Sequence, residues 1–287
     1  MKLISYSHQG KNAWGIETDL GIFPGDALAA GEFESVLSVL KAVALNRLRV
    51  EVAERSAAFT QWVPVLDIER QKPIPDQVNI VCVGLNYQSH VAEVGRTPGP
   101  PSKPSIFLKR TEALVADSES IWVPRESTWL DYEGELAFVL AQPAFHVRAE
   151  DAWPYIAGYT IMNDGSVRDY QKTSVTAGKN FYRSGAVGPA LVTADEFGPE
   201  PVFDLETRLN GQTVQRDSTR SFMVDIPHLL AYITSIMPLA AGDIISTGTP
   251  AGVALGQAAP RWLRAGDEIE IHVSGLGVLR NFVVDAP

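Results

Sequence analysis

The chain has 287 residues, 45% of them hydrophobic and 20% charged, which is typical of a folded globular protein and excludes a disordered or fibrous one. Acidic residues outnumber basic ones by 34 to 24, and the resulting net charge of −10 repels nucleic acid and anionic membranes, so we expect neither as a partner. The single cysteine, Cys82, excludes an internal disulfide and a cysteine-based zinc site. We expect a cytoplasmic protein, because the first residues lack the apolar stretch of a signal peptide and no apolar run of about 18 residues occurs.

Residues 1–72 are predicted to form a small N-terminal α/β module. Short β-prone segments (2–6, 13–18 and 20–23) come first, and one helix is predicted over 33–48, where apolar residues recur every three or four positions. Pro73 and Pro75 disfavour a helix in the connector that follows. We therefore expect a boundary near residue 72 and a larger domain over 73–287.

The larger domain contains many short β-prone segments with few helices between them. This spacing predicts an α+β, β-rich fold, a mixed β-sandwich roll, and not a doubly wound sheet. One helix is clear: Asp225 can cap it, Pro227 suits its first turn, and it ends before Pro238. The β-prone segments are 80–83, 105–108, 133–140, 157–162, 203–209, 243–247, 268–273 and 278–284.

Three carboxylates, Glu133, Glu135 and Asp164, form a candidate metal site. If 131–140 is a strand, Asp131, Glu133 and Glu135 share one face, and Asp164 follows an apolar run that ends at a turn signal. The alternative is a strand with one solvated face. If the three converge uncompensated, each pair about 5 Å apart repels by roughly 3 kcal/mol at an effective dielectric near 20. Hard oxygen ligands would favour Mg²⁺, Mn²⁺ or Ca²⁺.

His90 and Glu93 form a candidate acid–base pair. They follow the apolar segment 78–83, and in a helical turn residues three apart lie side by side. A carboxylate that orients an imidazole raises its basicity, so the pair could deprotonate water. The alternative is a chance surface pair, which is common and contributes little.

Four further residues are candidates for binding a substrate. A helix starting after the Asn-Asp-Gly turn would carry Asp164, Arg168 and Gln171 on one side, where Arg168 could orient a carboxylate. Gln171 and Lys179 could bind substrate oxygens, and Thr249 lies in a small-residue loop that could meet an anionic group. A solvated helix face and a tight turn are the alternatives. The motifs of serine hydrolases, P-loop proteins, zincins and dinucleotide-binding proteins are absent from the sequence.

Taken together in this order, the motifs resemble the fumarylacetoacetate hydrolase family over residues 73–284. They are G-L-N-Y-x-x-H-x-x-E (84–93), P-x-I-F-L-K (104–109), D-Y-E-G-E-L-A (131–137), N-D-x-x-x-R-D-x-Q (163–171), G-K-N-F (178–181), V-G-P (187–189) and S-T-G-T-P-A-G-V (246–253). The resemblance implies a β-roll catalytic domain, a homodimer and an Mg²⁺ or similar ion held by Glu133, Glu135 and Asp164.

The resemblance also implies roles for the other candidates. His90 and Glu93 would activate water on a segment that closes over the bound substrate. Lys179 and Gln171 would stabilise charge on substrate oxygens. Arg168 would support the metal-site carboxylates, and Thr249 would contact the substrate. One departure from the family pattern is Tyr182-Arg183, which we expect to place bulk and positive charge near the pocket.

The leading hypothesis is metal-dependent hydrolysis of a carbon–carbon bond in a β-diketo acid or acylpyruvate, as in the catabolism of aromatic compounds. The substrate would be a small 2-oxo acid, and the metal and Lys179 would hold the leaving enolate. The same site could instead decarboxylate an oxaloacetate-like acid, or isomerise or hydrate a 2-hydroxy-dienoate. A metal-stabilised binding module without turnover is a more remote alternative.

Overall fold

The computed structural model describes residues 1–75, 77–97, 99 and 103–287. The strands within them are β1 (Lys2–His8), β2 (Lys11–Thr18), β3 (Gly21–Pro24), β4 (Glu69–Arg70), β5 (Ile80–Gly84), β6 (Ser105–Lys109), β7 (Leu114–Val115), β8 (Ser120–Val123), β9 (Leu130–Asp131), β10 (Gly134–Leu140), β11 (Ile156–Asn163), β12 (Ser166–Val167), β13 (Gly185–Thr193), β14 (Asp204–Leu209), β15 (Gln212–Ser218), β16 (Ile244–Ser246), β17 (Glu268–Val273) and β18 (Gly277–Asp285). The helices are α1 (Val36–Lys41), α2 (Leu45–Arg55), α3 (Gln88–Glu93), α4 (Arg168–Gln171), α5 (Val175–Gly178) and α6 (Ile226–Ile236).

The described strands form a large mixed sheet, a smaller sheet and a two-stranded ribbon. The large sheet has the order β3-β2-β1-β13-β11-β10-β16-β5-β6, with β4 and β7 added at its sides. The smaller sheet has the order β15-β14-β17-β18-β8, and β9 pairs with β12. This α+β, β-rich arrangement confirms the predicted fold class.

The central strands of the large sheet are covered on both faces. Every residue of β10 and β11 is buried. Because successive side chains of a strand point to opposite faces, Leu136 and Phe138 pack into the core shared with β14 and β17, while Ala137 and Val139 pack into the core shared with α1. The ends of these strands are therefore held rigidly, and the candidate site lies at one such end.

The N-terminal strands extend the large sheet. Lys2 and Leu3 of β1 pair with Val192 and Leu191 of β13, in antiparallel register. Residues 1–72 thus share a sheet with the strands that follow, and the division into a module 1–72 and a domain 73–287 stays a prediction.

The single helix predicted over 33–48 is wrong, because two short helices are present. Ser35 caps α1 by accepting a hydrogen bond from the backbone N–H of Ser38. The chain leaves the helical path at Val43, whose φ of 54° lies in the left-handed region. The apolar spacing continues across this break into α2, so the periodicity could not reveal it.

Other local signals in the sequence predicted α6 correctly but did not predict β13. Asp225 caps α6 by accepting a hydrogen bond from His228 N, as predicted. The sequence missed β13, the nine-residue strand at the centre of the large sheet, because its glycines and Pro189 are typical of turns. Of the helices in the part of the chain that is described, none combines the length and apolarity needed to cross a bilayer.

Candidate active site

Glu133, Glu135 and Asp164 come together where β10 begins and β11 ends. These strands are antiparallel, with Gly134 opposite Asn163, so the residues beside that pair lie next to each other. One oxygen from each of the three carboxylates lies within 4.8 Å of the other two, and all three residues are buried. We call this group the carboxylate cage. The convergence expected from the sequence is present, although Glu133 lies in a short break between β9 and β10 and not in one continuous strand.

Three cations surround the carboxylate cage. Lys179 Nζ lies 2.5 Å from Glu133 Oε2 and 2.7 Å from Asp164 Oδ2. Lys109 Nζ lies 2.8 Å from Asp164 Oδ1, and Arg168 Nη2 lies 2.7 Å from Glu133 Oε1. The premise that the carboxylates repel one another uncompensated is therefore wrong, and their mutual repulsion alone does not require a metal ion.

Lys109 is a site residue that the sequence reasoning missed. Its ammonium also donates hydrogen bonds to the carbonyl oxygens of Gly165, at 3.1 Å, and Lys179, at 2.5 Å. Lys109 thus connects the end of β6 to the turn after β11, which contains Gly165, and to Lys179, the residue that follows α5. A lysine ending an apolar strand segment was the available signal, since burial of a lysine requires a partner charge.

The carboxylates of the cage differ in their tendency to ionise. Burial, together with the charges of Asp164 and Glu133, raises the pKa of Glu135 well above its ordinary value. Burial also opposes ionisation of Glu133, but Lys179 and Arg168 outweigh it and lower the pKa of Glu133 to about 2. Of Glu133 and Glu135, Glu135 is therefore the carboxyl that retains a proton more readily in the protein without metal.

The donor set of the cage fits a hard divalent cation. Asp164 Oδ1 is buried and accepts no aligned hydrogen bond from the described residues, so it keeps a lone pair available. Glu135 Oε2 accepts hydrogen bonds from Ser246 Oγ and from Gly248 N, which orients this carboxylate toward the other two. Oxygen ligands of this kind suit Mg²⁺, Mn²⁺ or Ca²⁺ and not zinc. Glu133, Glu135 and Asp164 could together hold such an ion.

His90 and Glu93 lie on α3, which covers one side of the same pocket. His90 Nδ1 is 2.9 Å from Glu93 Oε2, and both side chains are largely buried. Glu93 Oε1 accepts a hydrogen bond of 2.8 Å from Gly252 N, so the carboxylate is fixed from two sides. A proton on Nδ1 leaves Nε2 with a free lone pair, which is the arrangement of a positioned general base.

Arg168, Gln171 and Thr249 line the pocket, but their hydrogen bonds are directed mainly to the protein. Arg168 Nη1 donates to Gln171 Oε1 at 2.9 Å, so Gln171 helps to orient the guanidinium. Thr249 Oγ1 donates to Gly134 O at 2.9 Å and accepts from Gln215 Nε2 at 2.8 Å. The prediction of one helix carrying Asp164, Arg168 and Gln171 is wrong, since β12 lies between Asp164 and α4.

The pocket that contains these groups has a volume of about 440 Å³. Its floor is the carboxylate cage, and His90 lies on its wall. The wall also includes apolar side chains, among them Leu85, Phe107 and Leu255, and the cations Arg96 and Lys172. We call this cavity the acidic pocket. It combines buried charged groups with apolar surface, as sites for small ligands commonly do.

Tyr182 and Arg183 do not line the acidic pocket, so the expectation that they place bulk and charge there is wrong. They line a different cavity, together with Arg70 and Lys72. The guanidinium of Arg183 lies over the ring of Trp122, and its backbone pairs with Glu112 and Trp122. Those contacts draw residues 182–183 away from the site, although Lys179 three residues earlier is part of it.

The class of protein follows from the fold and this site together with a family model. The model described as fumarylacetoacetate (FAA) hydrolase C-terminal matches residues 79–284, which include every residue discussed in the acidic pocket. The chain belongs to the fumarylacetoacetate hydrolase family, as the resemblance of its motifs predicted. It is thus an enzyme of a family whose relatives include tautomerases, isomerases and hydrolases.

Particular relatives cover most or all of the chain. The mitochondrial oxaloacetate tautomerase Fahd2a of Rattus norvegicus is 32% identical over 292 residues, covering 99% of this chain and 92% of the relative. The oxaloacetate tautomerase YisK of Bacillus subtilis is 36% identical over 219 residues, covering 75% and 73%. Among solved structures, the fumarylacetoacetate hydrolase of psychrophilic Exiguobacterium antarcticum has a TM-score of 0.82 and 30% identity, covering 100% of both chains.

Proposed function

We propose that this chain interconverts the keto and enol forms of a small 2-oxo diacid of the oxaloacetate type, with a divalent cation, Mg²⁺ or Mn²⁺, in the carboxylate cage. The observation that supports this most directly is the position of His90, which is paired with Glu93, in the same pocket as Glu133, Glu135 and Asp164. Tautomerisation needs a base that removes a proton from carbon beside a group that stabilises the resulting negative charge on oxygen.

The bound cation would supply Lewis acidity at the oxo end of the substrate. His90 Nε2 removes the proton from C3 of the keto form, and Glu93 keeps the imidazole oriented through Nδ1. The electron pair of the C–H bond forms the C2–C3 double bond, and the π electron pair of the C2 carbonyl moves onto its oxygen. That oxygen then takes up a proton, which completes the enol. Lys179, whose ammonium lies in the cage, stabilises the developing charge on that oxygen.

Arg168 and Gln171 act as supports of the cage in this proposal. Arg168 Nε and Nη1 donate hydrogen bonds to Asp131 and Gln171, and Nη2 forms an ion pair with Glu133 at 2.7 Å. The sequence-based suggestion that Gln171 binds substrate oxygens is therefore replaced here by a role in orienting Arg168. Thr249 remains a proposed substrate contact at the pocket wall.

The relatives support the choice of reaction. Two proteins that align with three quarters or more of this chain are named oxaloacetate tautomerases. A diacid also agrees with the charge of the pocket wall, where Arg96 and Lys172 are added to the cations of the cage. Carboxylates on both ends of the substrate would each meet positive charge.

Carbon–carbon bond hydrolysis, the leading hypothesis from the sequence, is the second candidate. The same His90–Glu93 pair could activate water for attack on an acylpyruvate, and a structure with 30% identity is named a fumarylacetoacetate hydrolase. The two reactions share proton transfer at one imidazole and an enolate at one cage. They differ in what His90 deprotonates, which is C3 of the substrate in one case and, in the other, a water that attacks a second carbonyl and leads to carbon–carbon cleavage.

Product analysis separates these reactions. Purified protein with Mg²⁺ or Mn²⁺ is mixed with enol oxaloacetate, and separately with acylpyruvates, while the enol absorbance is followed and products are identified. The proposal predicts accelerated loss of the oxaloacetate enol with oxaloacetate recovered intact. Pyruvate and CO₂ from oxaloacetate would indicate a decarboxylase, and pyruvate plus a second acid from an acylpyruvate would indicate a hydrolase. Either result without tautomerase activity contradicts the proposal.

A further inference from the structure

Asp131 lies beside the carboxylate cage but is not part of it. It ends β9, is 0% exposed and is two residues from Glu133. The sequence placed it on the same strand face as Glu133 and Glu135, but the break before β10 turns its carboxylate toward Arg168 and a loop behind the pocket. A fully buried carboxylate requires several hydrogen-bond donors, and the identity of those donors indicates what it does.

A first set of contacts connects Asp131 to the carboxylate cage. Its Oδ2 accepts a hydrogen bond of 2.7 Å from Arg168 Nε. The same guanidinium contacts Glu133 Oε1 through Nη2 and Gln171 Oε1 through Nη1. Because a guanidinium is planar and rigid, fixing its Nε fixes the direction in which the other two nitrogens point. Asp131 therefore sets the position of Glu133 through Arg168.

A second set of contacts connects Asp131, through a turn, to the His90–Glu93 pair. Its carboxylate accepts hydrogen bonds from the backbone N–H groups of Ala254, at 2.8 Å, and Leu255, at 3.1 Å. These residues belong to the turn Ala254–Gly256, in which a Cβ on Gly256 would lie 2.2 Å from Glu93 Cδ. The turn thus packs directly against Glu93, whose other contact in this loop is Gly252 N.

We infer that Asp131 is a positioning residue. It holds the metal-binding carboxylates and the proton-transferring pair at a fixed position relative to each other. In this role it contacts neither substrate nor metal, because Asp131 does not line the acidic pocket. It accepts hydrogen bonds from Arg168, which contacts Glu133, and from the turn Ala254–Gly256, which packs against Glu93. Displacement of its carboxylate therefore moves both the carboxylate cage and the His90–Glu93 pair. The part of this inference that concerns turnover rests on the proposed function.

The hydrogen-bond pattern requires a carboxylate at this position. Each oxygen of Asp131 accepts from two donors, Tyr132 N and Ala254 N on Oδ1 and Arg168 Nε and Leu255 N on Oδ2. An asparagine can offer only one oxygen. Whichever way its amide is turned, its NH₂ faces two N–H donors, one of them in the turn Ala254–Gly256, and the negative charge that pairs with Arg168 is lost in either orientation. The isosteric substitution therefore weakens both connections.

The test compares Asp131→Asn with a matched control, Asp243→Asn. Asp243 is also buried and accepts hydrogen bonds from Asn79 N, Asn79 Nδ2 and Ala240 N, but it precedes β16 and touches no residue of the site. We expect Asp131→Asn to weaken Mn²⁺ binding, measured by calorimetry, by about tenfold or more, as loss of a ligand's support does. We expect kcat to fall by a similar or larger factor with a small change in KM. Asp243→Asn should change both within twofold.

A second variant perturbs only the contact between the turn and Glu93. Gly256→Ala should push Glu93 aside and lower kcat while leaving Mn²⁺ affinity within twofold of wild type. If Asp131 acts through this turn, combining Asp131→Asn with Gly256→Ala gives a kcat loss smaller than the product of the two single losses. The NMR signals of the His90 ring should shift in both single variants and stay unchanged in Asp243→Asn.

The inference is overturned if folded Asp131→Asn matches Asp243→Asn in Mn²⁺ affinity, kcat and the His90 signals. Should Asp131→Asn fail to fold, Asp131→Glu keeps the charge and moves it by one methylene, and unchanged affinity, kcat and ring signals there would equally refute the inference. If the wild-type protein turns over no 2-oxo acid, the proposed function fails, while Mn²⁺ affinity and the His90 signals still decide the role of Asp131.

Discussion

The acidic pocket and a second cavity of similar size differ in how they hold charge. The acidic pocket has a volume of about 440 Å³, and a second cavity of about 480 Å³ lies between the N-terminal strands and the segment that follows β6. We call the second one the N-terminal cleft. It is lined by charged residues of both signs, including Arg70, Lys72, Arg183, Glu112 and Glu119.

The charged side chains at the carboxylate cage are buried, whereas those of the N-terminal cleft are partly exposed. Lys109, Lys179, Arg168, Glu133 and Asp164 are 0–7% exposed. In the cleft, the side chains of Arg183 and Glu119 are 24% and 44% exposed and stand 3.7 Å apart. Solvent screens charges in the cleft, but in the pocket the low dielectric strengthens every interaction. Cavity size therefore does not identify the site, and the burial of converging charges does.

The largest expected effect comes from removing the imidazole in the acidic pocket. His90→Ala should lower kcat by about 10²–10⁴-fold, the usual contribution of a general base, and should keep fold and Mn²⁺ affinity. His228→Ala is the matched control, because His228 also pairs with a carboxylate three residues away, Asp225, but is exposed on α6. Steady-state kinetics on enol oxaloacetate should show no change above twofold for His228→Ala. Near-wild-type turnover by His90→Ala would remove His90 from the mechanism.

Removing one carboxylate of the cage should weaken metal binding next most strongly. Glu135→Gln replaces a ligand oxygen and a charge, so Mn²⁺ affinity measured by calorimetry should fall tenfold or more. Glu119→Gln removes a carboxylate of the N-terminal cleft and should leave the affinity within twofold. Equal affinities for wild type and Glu135→Gln would exclude Glu135 from the ligand set.

The same substitution should stabilise the protein when metal is absent. The pKa of Glu135 in the folded state lies above the ordinary value of 4.5, because burial and the neighbouring charges of Asp164 and Glu133 oppose ionisation. A raised carboxyl pKa means that stability is lost as the pH rises from about 4.5 toward the folded-state pKa. Glu135→Gln should therefore raise the free energy of unfolding in chelator by about 1 kcal/mol or more at pH 8, and by less at pH 5. Urea denaturation at both pH values measures this, and a pH-independent difference would contradict it.

Substitutions in the N-terminal cleft should have the smallest effect on catalysis. Arg183→Gln removes a cation from the rim of the cleft, where its guanidinium lies over Trp122. We expect kcat and KM for oxaloacetate to stay within twofold of wild type. A tenfold rise in KM would show that the cleft contributes to substrate binding and would end the distinction between the two cavities.

The sequence predicted the metal-binding and proton-transferring residues of the site better than the residues that hold them in place. Glu133, Glu135 and Asp164 were grouped from strand alternation and a turn signal, and His90 and Glu93 from helical spacing, because both signals are local. The roles of Lys109 and Asp131 are not predictable in this way, because they depend on contacts with residues 37–124 positions away. Such contacts follow from sheet order, which the sequence does not display.

The fold was predictable at a similar level. Strand segments such as 268–273 and the capped helix α6 follow from periodicity and end signals. The break at Val43 and the central strand β13 do not, since one has no glycine to mark it and the other contains glycines and a proline where strands usually lack them. In both places, packing against the rest of the sheet overrides the local preference.

Anomalous diffraction from a crystal soaked in Mn²⁺ would locate the metal ion. If the carboxylate cage is the metal site, one strong peak lies in the acidic pocket, about 2.0–2.6 Å from an oxygen of each of Glu133, Glu135 and Asp164. A structure in which Lys109, Lys179 and Arg168 alone contact these carboxylates at saturating Mn²⁺, or in which the peak lies in the N-terminal cleft, would contradict it.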